Sequence, residues 1–162
     1  MPNTYESIAT QTLGSAAASV TFSSIPSTYT DLVLVTSTKY TSTASHCLLQ
    51  ANSDSGTNYS NTFLYGDGSS AYSGRQTNNT GCFIGRANTT EFGVGITHIQ
   101  NYSNSTTFKT VLSRGNLASS LTIAYVGLWR NTSAITSLSI VGNAGDTFTT
   151  GSTFSLYGIA AA

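Results

Sequence analysis

The sequence predicts an all-β fold: an antiparallel β-sandwich, jelly-roll-like, with about ten strands and no significant helix. Three observations carry this. Apolar residues recur with period two along most of the chain, as in strands with one buried and one solvated face. Clusters of Gly, Asn, Asp and Ser separate these stretches every 10–15 residues or so. No stretch of about eleven residues carries the 3.6-residue stripe of an amphipathic helix.

The first strand is expected from Tyr5 to Leu13, and the second over residues 19–23, where Val20 and Phe22 share a face. Residues 31–36 form a denser apolar run, which suits a strand covered on both sides. Shorter strands follow at 47–51 and 62–65. Over 92–99, Phe92, Val94, Ile96 and His98 alternate onto one side, which puts His98 on an apolar face. The remaining strands are expected at 108–113, 121–129, 135–141 and 153–159. Turn signals fall at 55–58, 66–68, 78–81, 114–116 and 142–146.

One domain over residues 1–162 fits this length, and 39% apolar residues suffice for a core. Only 7% of the residues are charged, six basic against six acidic, whereas Ser, Thr and Asn make up about two-fifths of the chain. The solvated faces are therefore expected to carry hydroxyls where Lys and Glu usually stand. Such edges are poorly protected against strand pairing, so a self-associating or lattice-bound domain is expected. The basic residues Lys39, Arg75, Arg86, Lys109, Arg114 and Arg130 are scattered, which argues against a nucleic-acid partner. No apolar run approaches the roughly 20 residues of a membrane helix, and the segment from Met1 to Glu6 lacks the features of a signal peptide, so manufacture in a cytoplasm is expected. Cys47 and Cys82 are then expected as reduced, half-buried thiols, with pairing left open.

No catalytic constellation is apparent. His46 and His98 lie in no nucleophile or metal-ligand spacing, and the acidic residues Glu6, Asp31, Asp54, Asp67, Glu91 and Asp146 are far apart in sequence. Asp54, Asp67 and Asp146 stand in Gly-rich turns, where Asp is a favoured turn residue as well as a calcium ligand. No catalytic residue, metal or cofactor is expected. The candidate contact residues are aromatic: Tyr59, Tyr65, Tyr72 and Tyr102, in or near polar loops, and Trp129 at a strand end. They either stack on sugars or anchor a protein interface, or they cap the sandwich core.

Four stretches carry a resemblance: Thr4-Tyr5-Glu6-Ser7-Ile8-Ala9; the segment from Val20 to Leu34 with Ser24-Ile25-Pro26 and Tyr29-Thr30-Asp31-Leu32; Asn58-Tyr59-Ser60 with Leu64-Tyr65-Gly66; and the segment from Gly151 to Ile159 with Phe154-Ser155-Leu156-Tyr157-Gly158. Together they resemble a family of small β-rich virion structural proteins of tailed phages, over nearly the whole chain. The resemblance implies a virion location and no enzymatic activity, and carries over no functional residue. The expected function is a capsid decoration or cement protein on the head. Its partners would be the major capsid protein or other virion proteins and further copies of itself, most simply as a trimer. The alternatives are a tail-fibre or receptor-binding module contacting host glycans, and a free carbohydrate-binding module. Nucleic acid and membrane are not expected partners.

Overall fold

The computed structural model describes residues 4–42 and 44–160. Met1, Pro2 and Asn3, which entered the N-terminal reading, and the last two residues of the 1–162 domain lie outside these. Twelve strands are formed: β1 (Tyr5–Thr12), β2 (Ser19–Phe22), β3 (Asp31–Thr38), β4 (Ser45–Ala51), β5 (Tyr59–Gly66), β6 (Ala71–Asn79), β7 (Cys82–Ala87), β8 (Gly93–Ile99), β9 (Lys109–Leu117), β10 (Leu121–Trp129), β11 (Leu138–Gly142) and β12 (Thr153–Ile159). The one helical turn among the described residues is a 3-10 turn at Asn143–Gly145.

The strands make two wholly antiparallel sheets. The larger runs β1-β12-β3-β8-β9-β10-β5-β6 and the smaller β2-β11-β4-β7. In chain order, β2 lies in the small sheet, β3 in the large, β4 in the small, β5 and β6 in the large, β7 in the small, β8 to β10 in the large and β11 in the small. That alternation is the double Greek key of a jelly roll. Its two four-stranded sheets are β1-β12-β3-β8 and β2-β11-β4-β7, and β9, β10, β5 and β6 extend the large sheet beyond β8.

The count of ten strands misses β6 and β7. All of β6 is polar or half-exposed, so it shows no alternation. In β7, Cys82-Phe83-Ile84-Gly85 are all buried, so it reads as a short apolar run without a period. The turn expected at 114–116 is instead inside β9, and Ile135 is buried ahead of β11 rather than in it.

The core lies between the sheets. Leu32, Leu34, Phe154 and Leu156 project from the large sheet toward Val20, Phe22, Leu49, Leu138 and Ile140 of the small one, all buried. The small sheet meets the large one through its edge strand β7, and the closeness of that approach needs glycine. A Cβ at Gly127 would lie 2.6 Å from Cys82 Sγ, and one at Gly95 would lie 2.9 Å from the Ile84 carbonyl oxygen. Across β7, a second cluster packs Leu48 and Phe83 against Ile123 and Tyr125 of β10. Lys109 is buried as well, with its Nζ donating to the carbonyls of Thr107 at 2.7 Å and Thr132 at 3.0 Å.

Three of the stretches that carry the resemblance meet at one corner. β1 pairs with β12, and β12 with β3. The Tyr29 ring covers Gly158, where a Cβ would fall inside the ring, and its hydroxyl donates to Glu6 Oε2 at 3.2 Å. Thr30 donates through both its backbone N–H and its Oγ1 to the Ile159 carbonyl. These residues hold three strands in register, which accounts for their spacing without any ligand.

Candidate interaction surfaces

The large sheet has a face that no element of the described chain covers. With Leu32 and Leu34 inward, strand alternation turns Asp31, Val33 and Val35 of β3 outward. Pairing then carries this face across the sheet. Val35 is opposite Ile96, Ile96 opposite Arg114, Arg114 opposite Ala124 and Ala124 opposite Leu64. One row below, Val33, His98, Leu112 and Val126 align. Val94, Leu112 and Val126 are about half exposed and Leu64 is 63% exposed. Shallow hollows open between them, one lined by Tyr5, Val33, Val35, Ile96, His98, Arg114 and Tyr157. The shared side of Val94, Ile96 and His98 is thus the open one, and β3 is buried on both faces at Leu32, Val33 and Leu34, as expected of it, and opens to this side at Val35.

Charge is sparse on this face. By register it carries Arg114, Arg75 and His98, and, at the far end of β3, the carboxylate of Asp31. Asp31 Oδ1 accepts the Asn101 N–H at 2.7 Å. Among the described residues the Arg114 guanidinium makes no hydrogen bond or ion pair, and its side chain is exposed.

The five aromatic candidates divide sharply. Tyr59, Tyr102 and Trp129 are at most 2% exposed, so they belong to the core and offer no surface for contact. Tyr59 accepts the Ala51 N–H and donates to the Asp54 carbonyl, Tyr102 donates to the Pro26 carbonyl, and Trp129 donates to Asp54. Sequence placed them near polar loops because each stands beside one, but the loops fold over the rings. Tyr65 and Tyr72 remain at the surface. They face each other across β5 and β6 and stack at 4.8 Å, with Tyr72 45% exposed.

Tyr65 continues into an aromatic cluster that sequence reasoning missed. His46 stacks on Phe83 at 4.1 Å, and Phe63 and Tyr125 close around it. Burial, aided by the nearby positive charge of Arg86, pulls the His46 pKa down to about 4. The Tyr125 hydroxyl and Arg86 Nε are buried here without hydrogen-bond partners. No motif marks this group, because its members come from β4, β5, β7 and β10.

Of the turn aspartates, Asp67 acts within its own turn, whereas Asp54 and Asp146 each reach a side chain distant in sequence, Trp129 and Ser42. Asp67 Oδ1 accepts the N–H groups of Ser69 and Ser70, and Asp146 Oδ1 accepts the Ser42 hydroxyl at 2.7 Å. Among the described residues, no three of His, Cys, Asp and Glu come together as a metal site would require. Cys47 and Cys82 are free thiols, more fully buried than the half-burial expected of them.

No family model and no curated protein matches this chain. Among solved structures, the crystal structure of a protein of unknown function from Shewanella oneidensis MR-1 is similar over 86% of this chain and 62% of that one, with 13% identity and a TM-score of 0.20. The chain thus spans less than two thirds of that protein's length, and a likeness this slight informs neither fold nor function.

Proposed function

We propose that this chain is a non-enzymatic structural component of a phage virion, a decoration or cement protein that binds the head surface in many copies. The observation that carries this reading is the open, largely apolar face of the large sheet, a surface suited to protein contact within an assembly, with Arg114, Arg75, His98 and Asp31 as its few charged or titratable side chains. An exposed apolar area of this breadth on a rigid sheet marks an interaction site. The sequence resemblance points the same way, and the Glu6-Tyr29-Gly158 corner explains its motifs as framework.

Quantitative mass spectrometry of purified particles, with cryo-electron reconstruction of the same sample, tests this. Hundreds of copies per particle, with density for a small sandwich on the head, is the expected result. Absence from the particle overturns the reading. The stacked Tyr65-Tyr72 pair favours a second reading, a tail appendage that lays these rings on host glycans. A dozen or so copies at the tail, with glycan binding lost in Tyr72→Ala, would select it over the first.

A further inference from the structure

We propose that the outer face of the eight-stranded sheet is the contact between two copies of this chain, packed sheet against sheet about a two-fold axis. The inference rests on the reading of the chain as an assembly component: it assigns this face to a second copy, and the dimer so formed is the unit that meets the head.

The face is broad. Eight strands about 4.8 Å apart, each with about seven residues rising 3.3 Å, span roughly 38 by 23 Å. Two such faces crossed at roughly 70° overlap over roughly 560 Å² in projection, at the low end of specific interfaces, which take about 800 Å² from each partner at standard size. The apolar side chains occupy the middle of this rectangle and the hydroxyls of Thr62, Ser73, Thr153 and Ser155 its margins, as in an interface with a dry core and a polar rim.

Charge then selects a second copy over a different partner. An unpaired guanidinium in the middle of an apolar contact needs a carboxylate opposite it. Arg114 is on β9, and Asp31 is two strands away on β3 and four residues along, at roughly 16 Å. His98 on β8, paired with Val33 on one side and Leu112 on the other, stands midway between them. β8 is the fourth of the eight strands, so His98 is close to the centre of the sheet. An axis in the plane of contact, through His98 and perpendicular to the Arg114–Asp31 line, superposes the two faces centre on centre. It also sets each Arg114 opposite the Asp31 of the other copy, twice over. An isologous contact requires this self-complementarity. The strands of the two copies then cross at roughly 70°, in the near-orthogonal class of sheet packing. The trimer expected from sequence is not what this contact makes.

Sedimentation equilibrium of the full chain from about 1 to about 100 µM tests the proposal, since that range brackets the affinity of ordinary dimers. The wild type is expected as a dimer. Arg114→Glu is expected to raise the dissociation constant at least about 30-fold, and Arg114→Glu combined with Asp31→Lys to return it to within about fivefold of wild type. Asp31 also holds the Asn101 turn, so Leu112→Lys provides an independent reading from the centre of the face, again with a loss of about 30-fold or more. Circular dichroism and the unfolding midpoint confirm that each variant is folded. A wild-type monomer over the whole range, a trimer, or folded Arg114→Glu and Leu112→Lys variants that dimerise like wild type would each overturn the proposal. A monomer that is nevertheless found in particles removes the dimer and leaves the virion reading standing; a dimer absent from particles does the reverse.

Discussion

The indole N–H of Trp129 donates to Asp54 Oδ2 at 2.7 Å and so fastens the end of β10 to the turn that follows β4. The same carboxylate accepts from the Gly56 N–H and the Asn58 amide. Partial desolvation raises the Asp54 pKa, but the bonds from Trp129, Asn58 and Gly56 outweigh it and hold the carboxyl below its ordinary value.

Asp54→Ala is therefore expected to lower stability by roughly 1–3 kcal/mol, because it strands a buried indole donor. Trp129 is the only tryptophan, so its emission reports the change directly. In the wild type the Asp54 contribution is complete above the unfolded carboxyl pKa, near 4, and is lost as pH falls through the lower folded value. Asp54→Asn should flatten that acid limb of the denaturation curve.

His46 gives a second acid limb at higher pH. Its folded pKa of about 4 is below the ordinary 6.5, so the unfolded chain binds a proton first. Stability is full above about pH 6.5 and declines as pH falls toward 4, by roughly 2–3 kcal/mol in total. His46→Phe, which keeps a ring on Phe83, should abolish the decline between pH 6.5 and 4. Urea unfolding across that range would show it, and an unchanged slope would remove His46 as its source.

Gly127→Ala places a methyl group 2.6 Å from Cys82 Sγ and 2.8 Å from its Cβ. Overpacking of this kind destabilises by roughly 1–3 kcal/mol. For a chain of this length that lowers the melting temperature by roughly 3–10 °C. Gly14→Ala, with no heavy atom within 4 Å of the added carbon, is the control and should melt within a degree or two of wild type.

Both thiols should be silent in the folded protein. Burial pushes the Cys82 pKa up to about 12 and that of Cys47 upward as well, so neither offers a thiolate at neutral pH. A chromogenic disulfide reagent should titrate neither under native conditions and both in denaturant. Fast native reaction of one would place that thiol at the surface.

The legible part of the fold was the part with local cause. Alternation at Val20 and Phe22, or at Phe154 and Leu156, follows from one strand having one wet face, and the structure places these strands with small shifts at their ends. β6 was hidden because an overhanging edge strand has no dry face to mark it, and β7 because a strand buried on both faces has no wet one. The interaction surface was half legible. Apolar residues on both sides of β3 announced two covered faces, but only pairing across five strands shows that Val35, Ile96, Arg114, Ala124 and Leu64 form one row. The burial of Tyr59 and Trp129 depended on a turn folding over them, fixed by a bond between residues 54 and 129, and no local pattern contains that.

The pairing of β1 with β12 also sets a schedule. Tyr5–Thr12 leaves the ribosome ahead of its partner Thr153–Ile159, which is made on the order of ten seconds later at ordinary elongation rates. Through that interval β1 has no neighbour in the sheet, and β3 lacks the strand that lies between them. A stalled or shortened chain would present both as open pairing templates to other nascent chains on the same messenger, so the order of synthesis decides whether the first strand closes its own sheet or another's.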